Sequence, residues 1–186
     1  MYLLTETASP FALERWAAFF ANFGQFAKGF FYTLGISIGA LIVALLLGLI
    51  FGAMSSTHNK VLRGISRVYV EIFQNTPLLV QFVVVFYGIS ILTDGHVMIP
   101  ISLTAILCVG IYTGAYISEI IRTGIEAVPK GQTEAALSQG FTYADTMRII
   151  ILPQAVRTIL PPLTNQVVNL IKNTSTVAII LPLIHT

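Results

Sequence analysis

Several polar side chains sit in otherwise apolar stretches, and their spacing places them on shared helix faces. Asn165, Gln166, Asn169, Lys172 and Asn173 recur at three- and four-residue spacing. Tyr112, Tyr116 and Glu119 make a similar stripe, and Gln81 is the isolated polar residue of a third run. Carboxamides offer both donors and acceptors, so such a face can hold a zwitterion, with donors for its carboxylate and acceptors for its ammonium. The same groups can also tie helices together across a bundle. Glu119 has Arg122 three residues on, a spacing that favours an ion pair between them. No other chemistry is suggested. His58, His96, His185 and Cys108 have no metal-ligand spacing, no nucleophile–base pair is evident, and no phosphate-binding Gly-x-x-x-x-Gly-Lys run occurs.

The elements that carry these residues are predicted to cross a membrane. Hydrophobic residues make up 55% of the 186 and charged residues 10%, where soluble domains carry roughly 25% charged residues. A soluble fold would expose more apolar surface than water tolerates. The predicted fold is all-α, a polytopic transmembrane helix bundle in a lipid bilayer. A span needs about 20 apolar residues. Charge-free runs are Gly29 to Met54, Ile72 to Thr93 and Val97 to Ser118, with a fourth within Thr158 to Ile171. Asn75-Thr76-Pro77 makes the second irregular at its start. Pro161-Pro162 makes the fourth the least regular.

Basic residues set the expected orientation. Lys60, Arg63 and Arg67 follow the first run, Arg122, Lys130, Arg148 and Arg157 follow the third, and the loop at Asp94 has none. Those first two regions are therefore expected in the cytoplasm and the N-terminus outside. The basic residues follow topology and need no nucleic acid to explain them. The N-terminal stretch lacks the basic start and compact apolar core of a cleaved signal. Phe11, Trp16, Phe19, Phe20, Phe23 and Phe26 instead suggest an aromatic helix at the membrane surface. Residues 1–28 are thus read as an extracellular or interfacial segment and 29–186 as a transmembrane domain. In the first run, Gly35, Gly39, Gly48 and Gly52 suit close helix packing within the bundle.

The cytoplasmic segment 122–148 is the most informative. Pro129 suits a helix start, Thr133 to Gln139 carries helix formers, and Gly140 suits the stop. Thr142 and Asp145 match a capping box opening a second helix, which Pro153 then kinks or ends. Ala135, Ala136 and Gly140 have little side chain, so a partner could approach the backbone closely, while Glu134 lies near the first helix's start.

Glu134-Ala135-Ala136, with Gly140 and Ile151-Leu152-Pro153 following, resembles the coupling-loop signature of ABC-importer permeases. Asn75-Thr76-Pro77-Leu78-Leu79-Val80-Gln81 resembles a second signature and Ala115 through Ile125 a third. In this order they resemble the polar amino acid branch, the histidine/glutamine/glutamate-type importers, over about Arg67 to Ile180. The resemblance implies a permease subunit of a bacterial inner membrane. It implies a coupling interface of Glu134, Ala135, Ala136, Gly140, Thr142 and Asp145, and a substrate path drawn from Gln81, Tyr112, Tyr116, Glu119, Asn165, Gln166, Asn169 and Lys172. Implied partners are a cytoplasmic ATP-binding subunit, a second permease subunit, identical or related, an extracellular amino-acid-binding protein or domain, and a polar amino acid. ATP and magnesium would belong to the ATPase partner, leaving this chain no enzyme and without a cofactor. The family core has five spans. About four are predicted here, and residues 180–186 depart from the family's usual continuation. The alternative is a self-contained secondary transporter or channel for small polar solutes; proton coupling would usually need a buried mid-membrane carboxylate.

Overall fold

The computed structural model describes residues 13–176, the side chains of Glu14, Arg15 and Ala18 excepted. The start of the expected N-terminal aromatic segment and most of the apolar C-terminal tail lie outside the described residues. All regular structure among the described residues is helical. A short α1 (Leu13–Ala21) leads into α2 (Phe23–Ser55), followed by α3 (Lys60–Asn75), α4 (Leu78–Leu92), α5 (Ile101–Glu126), α6 (Lys130–Ser138) and α7 (Leu152–Asn173). In α1 and the start of α2, Trp16, Phe19, Phe20, Phe23 and Phe26 stack on one another, the Phe19 and Phe26 ring centroids 4.8 Å apart.

The centre of the bundle is α2 laid against α5. Both are long and apolar enough to cross a membrane, and small residues let them approach backbone to backbone. A Cβ built on Gly48 would fall 2.4 Å from Ile117 Cγ2, and one on Gly52 2.8 Å from Ile121 Cβ. The fit is reciprocal: a Cβ on Gly110 would meet Val43 at 2.8 Å, and one on Gly114 would meet the Tyr69 hydroxyl at 2.8 Å. The packing role expected of the α2 glycines thus holds for Gly39, Gly48 and Gly52, whereas Gly35 faces open space. With no water to squeeze out between two apolar helices in lipid, such interlocking contact is a main source of association. Phe82, Ala105, Val109 and Leu170 extend this core to α4 and α7.

The second expected span is broken. Residues 72–75 complete α3, and α4 starts at Leu78 with the two helices bent by 99°. Thr76 precedes a proline and takes the extended backbone that such a position favours, at φ −98° and ψ 123°. Gln81 braces the corner. Its Nε2 donates to the carbonyls of Phe73 (3.1 Å) and Thr76 (3.0 Å), and its side chain is buried. Gln81→Leu is therefore expected to leave those carbonyls unpaired and to destabilise the fold by about 1–3 kcal/mol. Thermal unfolding in detergent checks this.

The third span starts at Ile101, after Pro100, and runs two turns beyond the expected Ser118. The fourth corrects the expectation in the other direction. Despite Pro161 and Pro162, α7 is continuous from Leu152 to Asn173. Nor does Pro153 end its helix. The chain enters α7 through a π-helical turn, Thr146–Ile151, in which the Leu152 N–H donates to the Met147 carbonyl five residues back. That wider turn lies immediately before a proline ring that would crowd the carbonyl four residues earlier. The count of spans also falls. Two described helices pass as membrane spans, or three if α3 and α4 form one bent span. α7 is long enough, but its row of amides makes it too polar to join the expected four on composition.

Candidate functional site

The segment between α5 and α7 is built by local chain chemistry. α6 begins after Pro129, whose φ of −57° and ψ of 132° end the preceding loop, and starts three residues earlier than expected. It stops at Gly140, where φ is +88°. The Phe141 N–H donates to the Ala136 carbonyl at 3.1 Å and the Gly140 N–H to that of Leu137 at 3.0 Å. This paired closure needs a left-handed residue between the two helices. Thr142 then caps the next turn, Tyr143–Asp145, with its Oγ1 accepting from the Asp145 N–H at 3.2 Å. The capping box is incomplete: the Asp145 carboxylate accepts from the Thr142 hydroxyl instead of reaching back to the Thr142 backbone.

Glu134, Ala135, Gly140, Thr142 and Asp145 are exposed along this element. Ala136 is not. It is 3% exposed and packs inward, so its small side chain serves the fit of α6 against its own chain and leaves no room for a partner to contact it. Sequence reasoning missed Leu137, Phe141 and Tyr143, apolar side chains exposed beside the glycine stop. An isolated leucine or phenylalanine gives no sign of facing outward. His58, from the turn between α2 and α3, sits edge-on to the Tyr143 ring at 4.9 Å and links that turn to the segment.

The residues expected to line a path are not gathered at one point. The Tyr112 and Tyr116 hydroxyls lie 3.1 Å apart. Glu119 is held by Arg122, whose Nε donates to Oε2 at 2.9 Å, and Arg122 also pairs with Glu126. This ion-pair triad occupies the last turns of α5, so Glu119 has the structural partner its spacing suggested. Gln81 is committed to the α3–α4 corner through its amide nitrogen, while its Oε1 is buried and unpaired. On α7, Asn165, Asn169 and Lys172 are exposed and Gln166 half-buried. Among the described residues no hydrogen bond joins the Asn165, Gln166 or Asn169 amide to the rest of the chain.

Residues 44–183 match the family described as "Binding-protein-dependent transport system inner membrane component". The chain belongs to this family. The inner membrane component is 42% identical over 164 residues to a probable glutamine ABC transporter permease protein, GlnM, of Bacillus subtilis, covering 87% of this chain and 73% of that one. It is 36% identical over 162 residues to the glutamate/aspartate import permease protein GltJ of Escherichia coli K12, covering 82% and 66%. The chain thus spans about two thirds to three quarters of the length of these relatives. Among solved structures, one of an amino acid ABC transporter with histidines superposes with a TM-score of 0.81 at 34% identity, covering 88% of this chain and 75% of that one. The family membership read from the three sequence blocks is borne out, as is the helical membrane fold.

Proposed function

We propose that this inner membrane component is the permease subunit of an ATP-driven importer of polar amino acids and forms part of the translocation path. The reading rests above all on α6. It is an outward-facing helix whose glycine-stopped end presents Glu134, Ala135, Leu137, Phe141 and Tyr143, a shape suited to insertion into a groove of a cytoplasmic ATP-binding subunit. Segment 122–148 is then the coupling segment, with Gly140, Thr142 and Asp145 fixing its shape. The N-terminus lies outside, with residues 1–28 extracellular or interfacial and the permease domain beginning at residue 29. ATP and magnesium are used on the partner. ATP binding favours one arrangement of the subunits, and the coupling helices carry that preference to the spans. A second permease subunit, identical or related, completes the path, and an extracellular binding protein or domain delivers the amino acid.

The α7 amides are the part of the path that the chain itself leaves unsatisfied. Polar groups are costly against lipid, so Asn165, Gln166, Asn169 and Lys172 belong against the second subunit or the solute, joined by Tyr112 and Tyr116. Glu119 and Gln81, already committed within the chain, shape the path's walls. Asn169→Leu is expected to lower uptake at least about tenfold, a loss of about 1.4 kcal/mol or more of hydrogen bonding to solute or transition state. Unchanged affinity and rate would reduce the stripe to packing. The reading as a whole is tested by ATPase stimulation in proteoliposomes that hold the full transporter, its binding protein and a panel of amino acids. Stimulation by one polar amino acid is expected. Uptake with no ATPase subunit present would overturn it in favour of a secondary transporter.

A further inference from the structure

On the side of the bundle where α2 ends, a cleft of about 690 Å³ opens between α3 and α5. Its lining includes Lys60, Arg63 and Arg67 from one side of α3, and Ser118, Glu119 and Arg122 from α5. The charges are unevenly committed. Arg122 occupies both Glu119 and Glu126. Among the described residues no carboxylate lies within ion-pair distance of Lys60, Arg63 or Arg67, and Glu71, also in the lining, is likewise unpaired. Three free cations thus face one free carboxylate. The Ser118 hydroxyl, on a residue only 1% exposed, lines the same cleft and has no hydrogen-bond partner.

The level of the cleft is set by the spans beside it. The charge-free run of α2 ends at Ser55, which lines the cleft, and Glu119 is the first charged residue met along α5. The cleft therefore opens where both helices leave the hydrocarbon. Flanking the cations along α3 is an exposed apolar row, Val61, Ile65, Val68 and Ile72. Phosphate-binding cations, an unused hydroxyl and an adjoining apolar strip at the hydrocarbon boundary make up both halves of a phospholipid seat. We propose that this cleft binds the headgroup of an anionic phospholipid, its phosphate held by Arg63, Arg67 and Lys60 and its acyl chains lying along Val61, Ile65 and Val68. The guanidinium groups suit phosphate oxygens by their forked donors, and basic pockets between spanning helices on the cytoplasmic side are suited to anionic headgroups. The two arginines can then anchor the α3–α4 corner to the cytoplasmic leaflet.

The test needs no transport, so its outcome is separate from that of the importer reading. The full chain is incorporated into nanodiscs of phosphatidylglycerol and phosphatidylcholine in equal parts and extracted into mild detergent, and the phospholipid retained per chain is measured by mass spectrometry. Phosphatidylglycerol is expected to be retained selectively over phosphatidylcholine. Arg63→Gln with Arg67→Gln should lower its apparent affinity roughly 30-fold, from about 1 kcal/mol for each cation near a membrane surface, while Lys28→Gln at the far end of α2 leaves it unchanged. Equal retention of the two lipids by the wild-type chain, readable even if the double variant fails to fold, would overturn the proposal. So would undiminished retention by a folded double variant. Displacement of the lipid by millimolar inorganic phosphate would instead mark a site for a soluble anion and overturn it too.

Discussion

Gly48→Ala should destabilise the bundle by about 1–3 kcal/mol, the usual range for overpacking, while Gly35→Ala on the same helix should stabilise it by about 0.5–1 kcal/mol. Helix propensity alone favours alanine at both positions. The difference comes from what the new methyl meets. At Gly48 it would fall 2.4 Å from Ile117 Cγ2 and 2.6 Å from Ile117 Cβ. Ile117 is 1% exposed, and its Cβ is fixed to the α5 backbone, so no rotamer change can clear the clash. The two helices must separate, and the reciprocal contacts of Gly110 with Val43 and of Gly114 with Leu47 and Tyr69 loosen with them. The Tyr69 hydroxyl, which donates to the Ile111 carbonyl at 2.7 Å, ties α3 to the same seam. At Gly35 the methyl meets nothing within 4 Å. Melting temperatures of the two variants in one detergent should move in opposite directions. A Gly48→Ala chain as stable as the wild type would mean that α2 and α5 are not held by this interlock.

The contrast between those glycines marks where sequence reasoning stopped. Four-residue spacing identified a face suited to packing, but it could not separate Gly35 from Gly48, because only the position of α5 does so. What was legible depended on the chain's own neighbours: the extended residue before Pro77, the glycine stop at 140, the Thr142 cap, and the Glu119–Arg122 pair. What was not legible depended on direction in space. Gln81 looked like a lone polar residue in a span because its acceptors, Phe73 and Thr76, lie across a 99° corner. Ala136 looked free because nothing in an Ala-Ala pair says which methyl turns inward. The amides of α7 hid a helix long enough to span, and Pro153 suggested an ending where a π-helical turn absorbs the ring.

Gly140 carries the prediction with the largest effect on function. Gly140→Leu should abolish ATP-coupled uptake while leaving the melting temperature of the bundle within a few degrees of the wild type. Small size for a partner's approach was the reason the sequence suggested. The structure adds another. A Cβ at Gly140 would meet nothing within 4 Å of its own chain, but the residue sits at φ +88°, where L side chains are strained. Strain of about 1–2 kcal/mol in a left-handed conformation acts where the paired closure fixes the angle between α6 and the turn at Tyr143–Asp145. The membrane-embedded interlock is remote from it, hence the small change in stability. Asparagine separates the two reasons, because it tolerates the left-handed region yet adds a side chain. If backbone shape is what matters, Gly140→Asn keeps most of the uptake that Gly140→Leu loses. If close approach of the partner matters more, both variants uncouple ATP hydrolysis from transport. Normal coupled uptake by the leucine variant would remove α6 from the coupling role altogether. Uptake and ATPase rates measured together in proteoliposomes distinguish the three results.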